Sequence, residues 1–230
     1  YYNDLFYRNI DKSNFFPIVG ISHMTLSESM PLSLVAISEK GVRFYFATSG
    51  HNPMGRPVQL ALHHVRLPPG FSASTPIQRP NKVHMTYFNR GTLLMSSKPN
   101  DVNDILWILS SDAFPFQNIL MEGQSTIAID GVTWAMDEIP QDSRMVHLFK
   151  NSFGAVDPPV VATQHSQSPR RFVMISAQGT HIITKLRPVD QLRQLLIDHG
   201  GPDNEVIKAF FALHSETQAA ATSLVLACSQ

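Results

Sequence analysis

Between Ile18 and Leu186 the chain alternates short apolar runs with turn residues, at the spacing of strands rather than helices. Ser33 to Thr48 holds two runs rich in β-branched and aromatic residues around Ser38-Glu39-Lys40-Gly41. Val83 to Ser97 repeats the design around Asn89-Arg90-Gly91, and Arg171 to Leu186 repeats it around Ala177-Gln178-Gly179. A weaker copy, Ser125 to Met136, turns at Asp130-Gly131, and Asp-Gly between apolar runs is a strong hairpin signal. The four turn glycines are 50, 40 and 48 residues apart. Repeats of that length with several strands each point to propeller blades, small twisted sheets that cover their faces only by stacking around a hub. A β-sandwich with hairpins at similar spacing is the alternative. On the repeat alone we expect four blade-like units.

At Pro188 the period changes. Val189, Leu192, Leu195 and Leu196 share one helical face, Pro188 suits the first helical position, and Gly200-Gly201 supplies the stop. Pro202-Asp203 opens a second helix with Val206, Ile207, Phe210, Phe211 and Leu213 as its apolar side. Ser215, with Gln218 three residues on, forms a capping-box start for a third, which runs on without a stop signal. The chain thus reads as mainly β with a helical C-terminal segment: residues 1–187 as later blades of a propeller, 188–230 as the first helices of an α-solenoid. Both ends look cut, and blades are expected upstream.

Composition narrows the function. Hydrophobic residues make up 43% of the 230, enough to exclude a disordered tail. Lys+Arg 18 balances Asp+Glu 18, so there is none of the basic excess of a dedicated nucleic-acid binder. The one cysteine, Cys228, excludes a disulfide within the chain and reads as a small packed hydrophobe.

Chemistry is hard to find. His63-His64 are strand neighbours, which point to opposite faces and do not share a metal easily. The chain holds neither His-x-x-x-His nor His-Glu-x-x-His. A Gly-x-Ser-x-Gly elbow and a phosphate loop are also missing. Asp137-Glu138 is an adjacent carboxylate pair that sequence cannot place against a substrate. No cofactor or metal is expected, and no catalytic residue. Trp107 and Trp134, both in apolar strand contexts, are expected to pack in the core. Ser168-Pro169-Arg170-Arg171 is a weak proline-directed phosphorylation match.

Two loops stand out. Pro68 to Pro80 is acid-free and mixes small residues with bulky ones. Gly70, Phe71, Ser72, Ala73, Ser74 and Ile77 make it a candidate membrane or partner loop, with an ordinary proline-rich connection as the alternative. Phe114 and Phe116, in a second loop, are either partner contacts or core plugs.

Several strings together carry a resemblance: HVRLPPGFSAS at His64 to Ser74, NDILW at Asn103 to Trp107, FPFQ at Phe114 to Gln117, and KLRPVDQLRQLL at Lys185 to Leu196. GVRFYF at Gly41 to Phe46 and the segment Ile207 to Cys228 fit as well. The chain resembles the large scaffold nucleoporins of the nuclear pore inner ring, the nucleoporin 155/170 family, from about Phe16 to its end. Met136 to Pro158 matches poorly. The resemblance implies a seven-bladed propeller followed by a long solenoid, and a structural, non-enzymatic role at the nuclear envelope supporting nucleocytoplasmic transport. It implies linker nucleoporins, other inner-ring nucleoporins, transmembrane nucleoporins and the pore membrane as partners. A peptide-reading adaptor of the WD class is the competing reading, although the chain holds no Trp-Asp dipeptide. A propeller hydrolase is a third.

Overall fold

A computed structural model describes residues 17–25, 28–29, 31–71, 79–111, 122–140, 163–214 and 216–228. Among the described residues the fold is mainly β, with three short helices from Pro188 onward. The chain divides into two compact units, residues 1–136 with 174–180, and residues 137–173 with 181–230.

In the first unit, β1 (Ile18–His23), β2 (Leu34–Ser38), β3 (Arg43–His51) and β4 (Pro57–Arg66) form a four-stranded sheet in chain order. Every pairing in it is antiparallel. The strands β5 (Val83–Asn89), β6 (Thr92–Ser97), β7 (Asp104–Ser111) and β8 (Glu122–Ile129) repeat the arrangement. Chain-order meanders need only short loops, so each sheet is built from local contacts. The turn residues explain the hairpins. Gly41, at φ 76°, closes β2 onto β3. Arg90 at φ 44° and Gly91 at φ 65° put both central residues of the β5–β6 turn in the left-handed region, the geometry that matches strand twist.

The two sheets share one apolar core, in which Val35, Ile37, Tyr45, Leu93, Met95 and Trp107 are buried together. The first strands approach most closely. A Cβ on Gly20 of β1 would collide with Thr86 Oγ1 on β5 and lie 3.1 Å from Thr86 Cβ. Backbone bonds fasten the turns: Val83 N donates to Glu39 O at 2.9 Å, and Glu39 N donates to Pro17 O at 2.8 Å.

A third sheet has three strands, β9 (Thr133–Ile139), β10 (Arg170–Ser176) and β11 (Gly179–Lys185), in the order β11-β10-β9. The described strands therefore make three sheets, not four units. The expected hairpin at Asp130-Gly131 is not one: β8 pairs with β7, and β9 lies next to β10. Gly131 is instead the connection from one sheet to the next. Its φ is 84°, its N–H donates to Asn103 Oδ1 at 3.0 Å, and its carbonyl accepts from Asp104 N at 3.1 Å. A positive-φ glycine serves either turn equally well, so the dipeptide could not distinguish them.

In the second unit, α1 (Pro188–His199) starts on Pro188 and ends at Gly200 in the left-handed conformation, as its stop signal predicts. The helix α2 (Glu205–Leu213) is capped by the Asn204 side chain, which accepts from Val206 N. It starts two residues after Asp203. The helix α3 (Glu216–Cys228) follows, and Ser215 lies outside the described residues. Leu192, Ile207 and Phe210 are the buried centre of this bundle.

Candidate partner-docking surfaces

Buried polar groups in the first unit serve cohesion. Arg43, 2% exposed, meets Glu122 in a two-pronged ion pair at 2.5 and 3.0 Å, and Arg66 reaches the same carboxylate at 3.3 Å. Burial alone works against the Arg43 charge. The hydrogen bonds it donates to Glu122 and the attraction of that carboxylate outweigh it and hold the guanidinium pKa above its ordinary value. Burial pushes the neighbouring Tyr45 phenol up, so it stays neutral beside the pair.

A second network runs through Asp104. Its Oδ2 lies 2.8 Å from His84 Nε2 and accepts from Thr133 N at 2.7 Å. Thr133 Oγ1 in turn accepts from Ser96 Oγ at 2.8 Å. Trp107 Nε1 donates to Ser97 Oγ, which donates to Ile105 O. Glu28 is a third anchor: its carboxylate accepts from Thr25 N and from Arg90 N. Most of these polar atoms have partners inside the protein, which is the pattern of a polar network that fixes packing, while Arg43 Nε and Asp104 Oδ1 are buried with none among the described residues. Among the described residues no group of three or more His, Cys, Asp or Glu is placed to hold a metal.

The residues singled out by sequence fall out unevenly. Gly70 takes φ 75°, and Phe71 follows it half exposed on the stretch after β4. Ser72, Ala73, Ser74 and Ile77 lie outside the described residues, as do Phe114 and Phe116. Trp107 is buried as expected. Trp134 is 63% exposed, because its strand turns that face outward, a choice the surrounding apolar letters do not encode. Cys228 is exposed on the last turn of α3 and does not pack as a small hydrophobe. Glu138 is held by Arg170 at 2.6 and 2.7 Å and so does not form a facing carboxylate pair with Asp137. His64 lies with its ring centroid 6.1 Å from that of Tyr45. Burial, then the charges of Arg66, His63 and Arg43, lower its pKa, so it favours the neutral form.

In the second unit, Gln164 ties the helices. Its Oε1 accepts from Val189 N at 2.9 Å, and its Nε2 donates to Thr222 Oγ1 at 3.2 Å. Between the helices lies an open groove of about 630 Å³ lined by Leu192, Leu196, Ile197, Pro202, Phe211 and Leu226. The lining is mainly apolar, with Arg193 and Ser223 as its polar members, and open, suited to packing against another protein element rather than to enclosing a small molecule. No helix among the described residues is long and apolar enough to cross a membrane.

The comparisons with known proteins agree on kind. The chain is 30% identical over 250 residues to the nuclear pore complex protein Nup154 of Drosophila melanogaster, a match covering 96% of this chain and 17% of that protein. The crystal structure of the Chaetomium thermophilum Nup170 N-terminal domain in complex with Nup53 superposes with a TM-score of 0.70. That match covers 93% of this chain and 33% of the other, at 18% identity, and it shows a shared fold. This chain therefore spans only a minor part of either relative. The family model described as Nup133 N-terminal-like matches residues 3–182, and the chain belongs to this nucleoporin N-terminal-domain family.

Proposed function

We propose that this chain is a non-catalytic scaffold element of the nuclear pore inner ring, at the nuclear envelope, supporting nucleocytoplasmic transport of protein and mRNA. Membership of the nucleoporin N-terminal-domain family is the observation that carries the reading. Residues 1–187 are the later blades of a seven-bladed propeller, and 188–230 begin an α-solenoid. Its mechanism is passive. Stiff sheets present edges, helices present grooves, and many weak contacts add up through effective concentration. A polar interior that is largely internally bonded, together with a mainly apolar, open helical groove, supports a binding rather than a reacting surface.

The partners we assign are linker nucleoporins of the Nup53 class, other inner-ring nucleoporins and transmembrane nucleoporins. The Nup170 structure named above contains Nup53, which makes that class the first to test. Mixing the purified chain with a Nup53-class linker in a calorimeter should give saturable binding. Absence of heat and of co-elution would count against the linker assignment.

The loop around Gly70, Phe71, Ser72, Ala73, Ser74 and Ile77 is assigned the peripheral contact with the pore membrane, and Phe71 is exposed where such a contact needs it. Phe71→Asp should then weaken binding to small, curved liposomes. Unchanged binding would remove the loop from the account without touching the scaffold reading.

A further inference from the structure

The β3–β4 hairpin outruns the core beneath it. Thr48 to His51 on one strand and Pro57 to Ala61 on the other are exposed throughout. A two-stranded ribbon alone is marginally stable in water. This one nevertheless displays Val58 and Leu60, 60% and 53% exposed, two residues apart and so on one face. Met54, 82% exposed, sits at its tip. The tip itself is ordered by Asn52, whose Oδ1 accepts from Met54 N and Arg56 N.

The strand β4 ends its sheet, so among the described residues no strand lies along its outer side. Sheet edges are normally guarded by charged side chains, by proline or by bulges. From Pro57 to Val65 there is no Lys, Arg, Asp or Glu, and the one proline, Pro57, stands at the first position of the strand. The one register break with β3 falls between Tyr45 and Phe46, opposite His64 and Leu62, and leaves Pro57 to Ala61 in register.

We propose that the outer edge of β4 at Pro57–Ala61 accepts an extended peptide strand from a partner protein, with apolar residues at alternate positions and acidic residues at its ends. Main-chain bonds to the edge supply affinity, and Val58 and Leu60 supply an apolar face for alternate side chains. Charge selects the partner. The hairpin from Gly41 to Arg66 contains no acid, and Arg56 and Arg66 stand at the two ends of β4. Arg66 shares Glu122 with Arg43, whereas Arg56 makes no ion pair among the described residues. A second copy of the chain is a poor occupant. Its hairpin also holds no acid from Gly41 to Arg66 and so offers Arg56 no carboxylate. The inference stands independently of the pore assignment.

The test uses the full chain and two synthetic peptides with a shared Thr-Val-Thr-Val-Thr centre, one ending in glutamates and the other in lysines. The glutamate peptide should bind, the lysine peptide about tenfold or more weaker. Bound peptide should slow hydrogen exchange at the amides of Gln59 and Ala61, which face away from β3. Leu60→Lys, at an exposed site where the melting temperature should not change, should abolish binding, and Arg56→Glu should reverse the preference between peptides. Equal binding of the two peptides, no binding of either, or protection elsewhere would overturn the proposal. So would capture of the hairpin by phosphatidylserine vesicles with no response to peptide.

Discussion

Glu122, on the last strand of one sheet, holds Arg43, on the third strand of another, through both carboxylate oxygens. The two residues are 79 positions apart, and both side chains are largely buried. Removing one partner of such a pair leaves the other charge buried and uncompensated, which costs far more than the intact pair contributes. Glu122→Ala should therefore lower unfolding free energy by about 3 kcal/mol, measured by urea denaturation. The double variant Arg43→Met, Glu122→Leu should recover most of that loss. A double variant as unstable as the single one would show that the pair matters through something other than its charge.

Gly20 has a packing role. Its φ is ordinary, but the space a side chain needs is filled by Thr86 of β5. Gly20→Val should separate β1 from β5 and cost about 1–3 kcal/mol, as overpacking does elsewhere. Adding Thr86→Ala should return part of it, read as a rise in melting temperature over the single variant.

Gln164 bridges α1 and α3 by two side-chain bonds. Gln164→Leu strands the Val189 N–H in a buried position and removes the donor to Thr222 Oγ1, which keeps its own bond to Gln218 O. It should destabilise the helices by about 1–3 kcal/mol, chiefly for the amide left unpaired. Faster amide exchange in α1 and α3 is the expected readout, with the β-sheets unaffected.

Asp190 gives an acid-pH signature. Hydrogen bonds from the Arg187 side chain, opposed by partial burial and aided by the Arg187 backbone N–H, hold its carboxyl below its ordinary value of 3.8. A depressed carboxyl pKa stabilises the fold fully above the unfolded value and ceases to do so as pH falls through the folded one. Melting temperature should therefore fall below about pH 4 in the native chain. The fall should be shallower in Asp190→Asn; an identical pH slope in both would remove this carboxylate from the account.

Much of this architecture is local and so was readable along the chain. The hairpins at Gly41, Gly91 and Gly179 follow from turn chemistry between β-rich runs, and α1 follows from Pro188 and Gly200 at its ends. Gly131 misled because a turn inside a sheet and a step between sheets ask the same φ of the backbone. Trp134 misled because apolar context identifies a strand but not which face is covered. The Arg43–Glu122 pair had no local signal at all, since each charge looks like surface until the sheets are stacked. The exposed edge of β4 had one faint trace, the uncharged run from Pro57 to Val65.

The scaffold role is tested most directly by where the protein resides. Expressed at native level with a fluorescent tag on the complete protein, it should form a punctate rim at the nuclear envelope and recover slowly after photobleaching. A diffuse, rapidly exchanging signal through the cytoplasm and nucleoplasm would contradict the account.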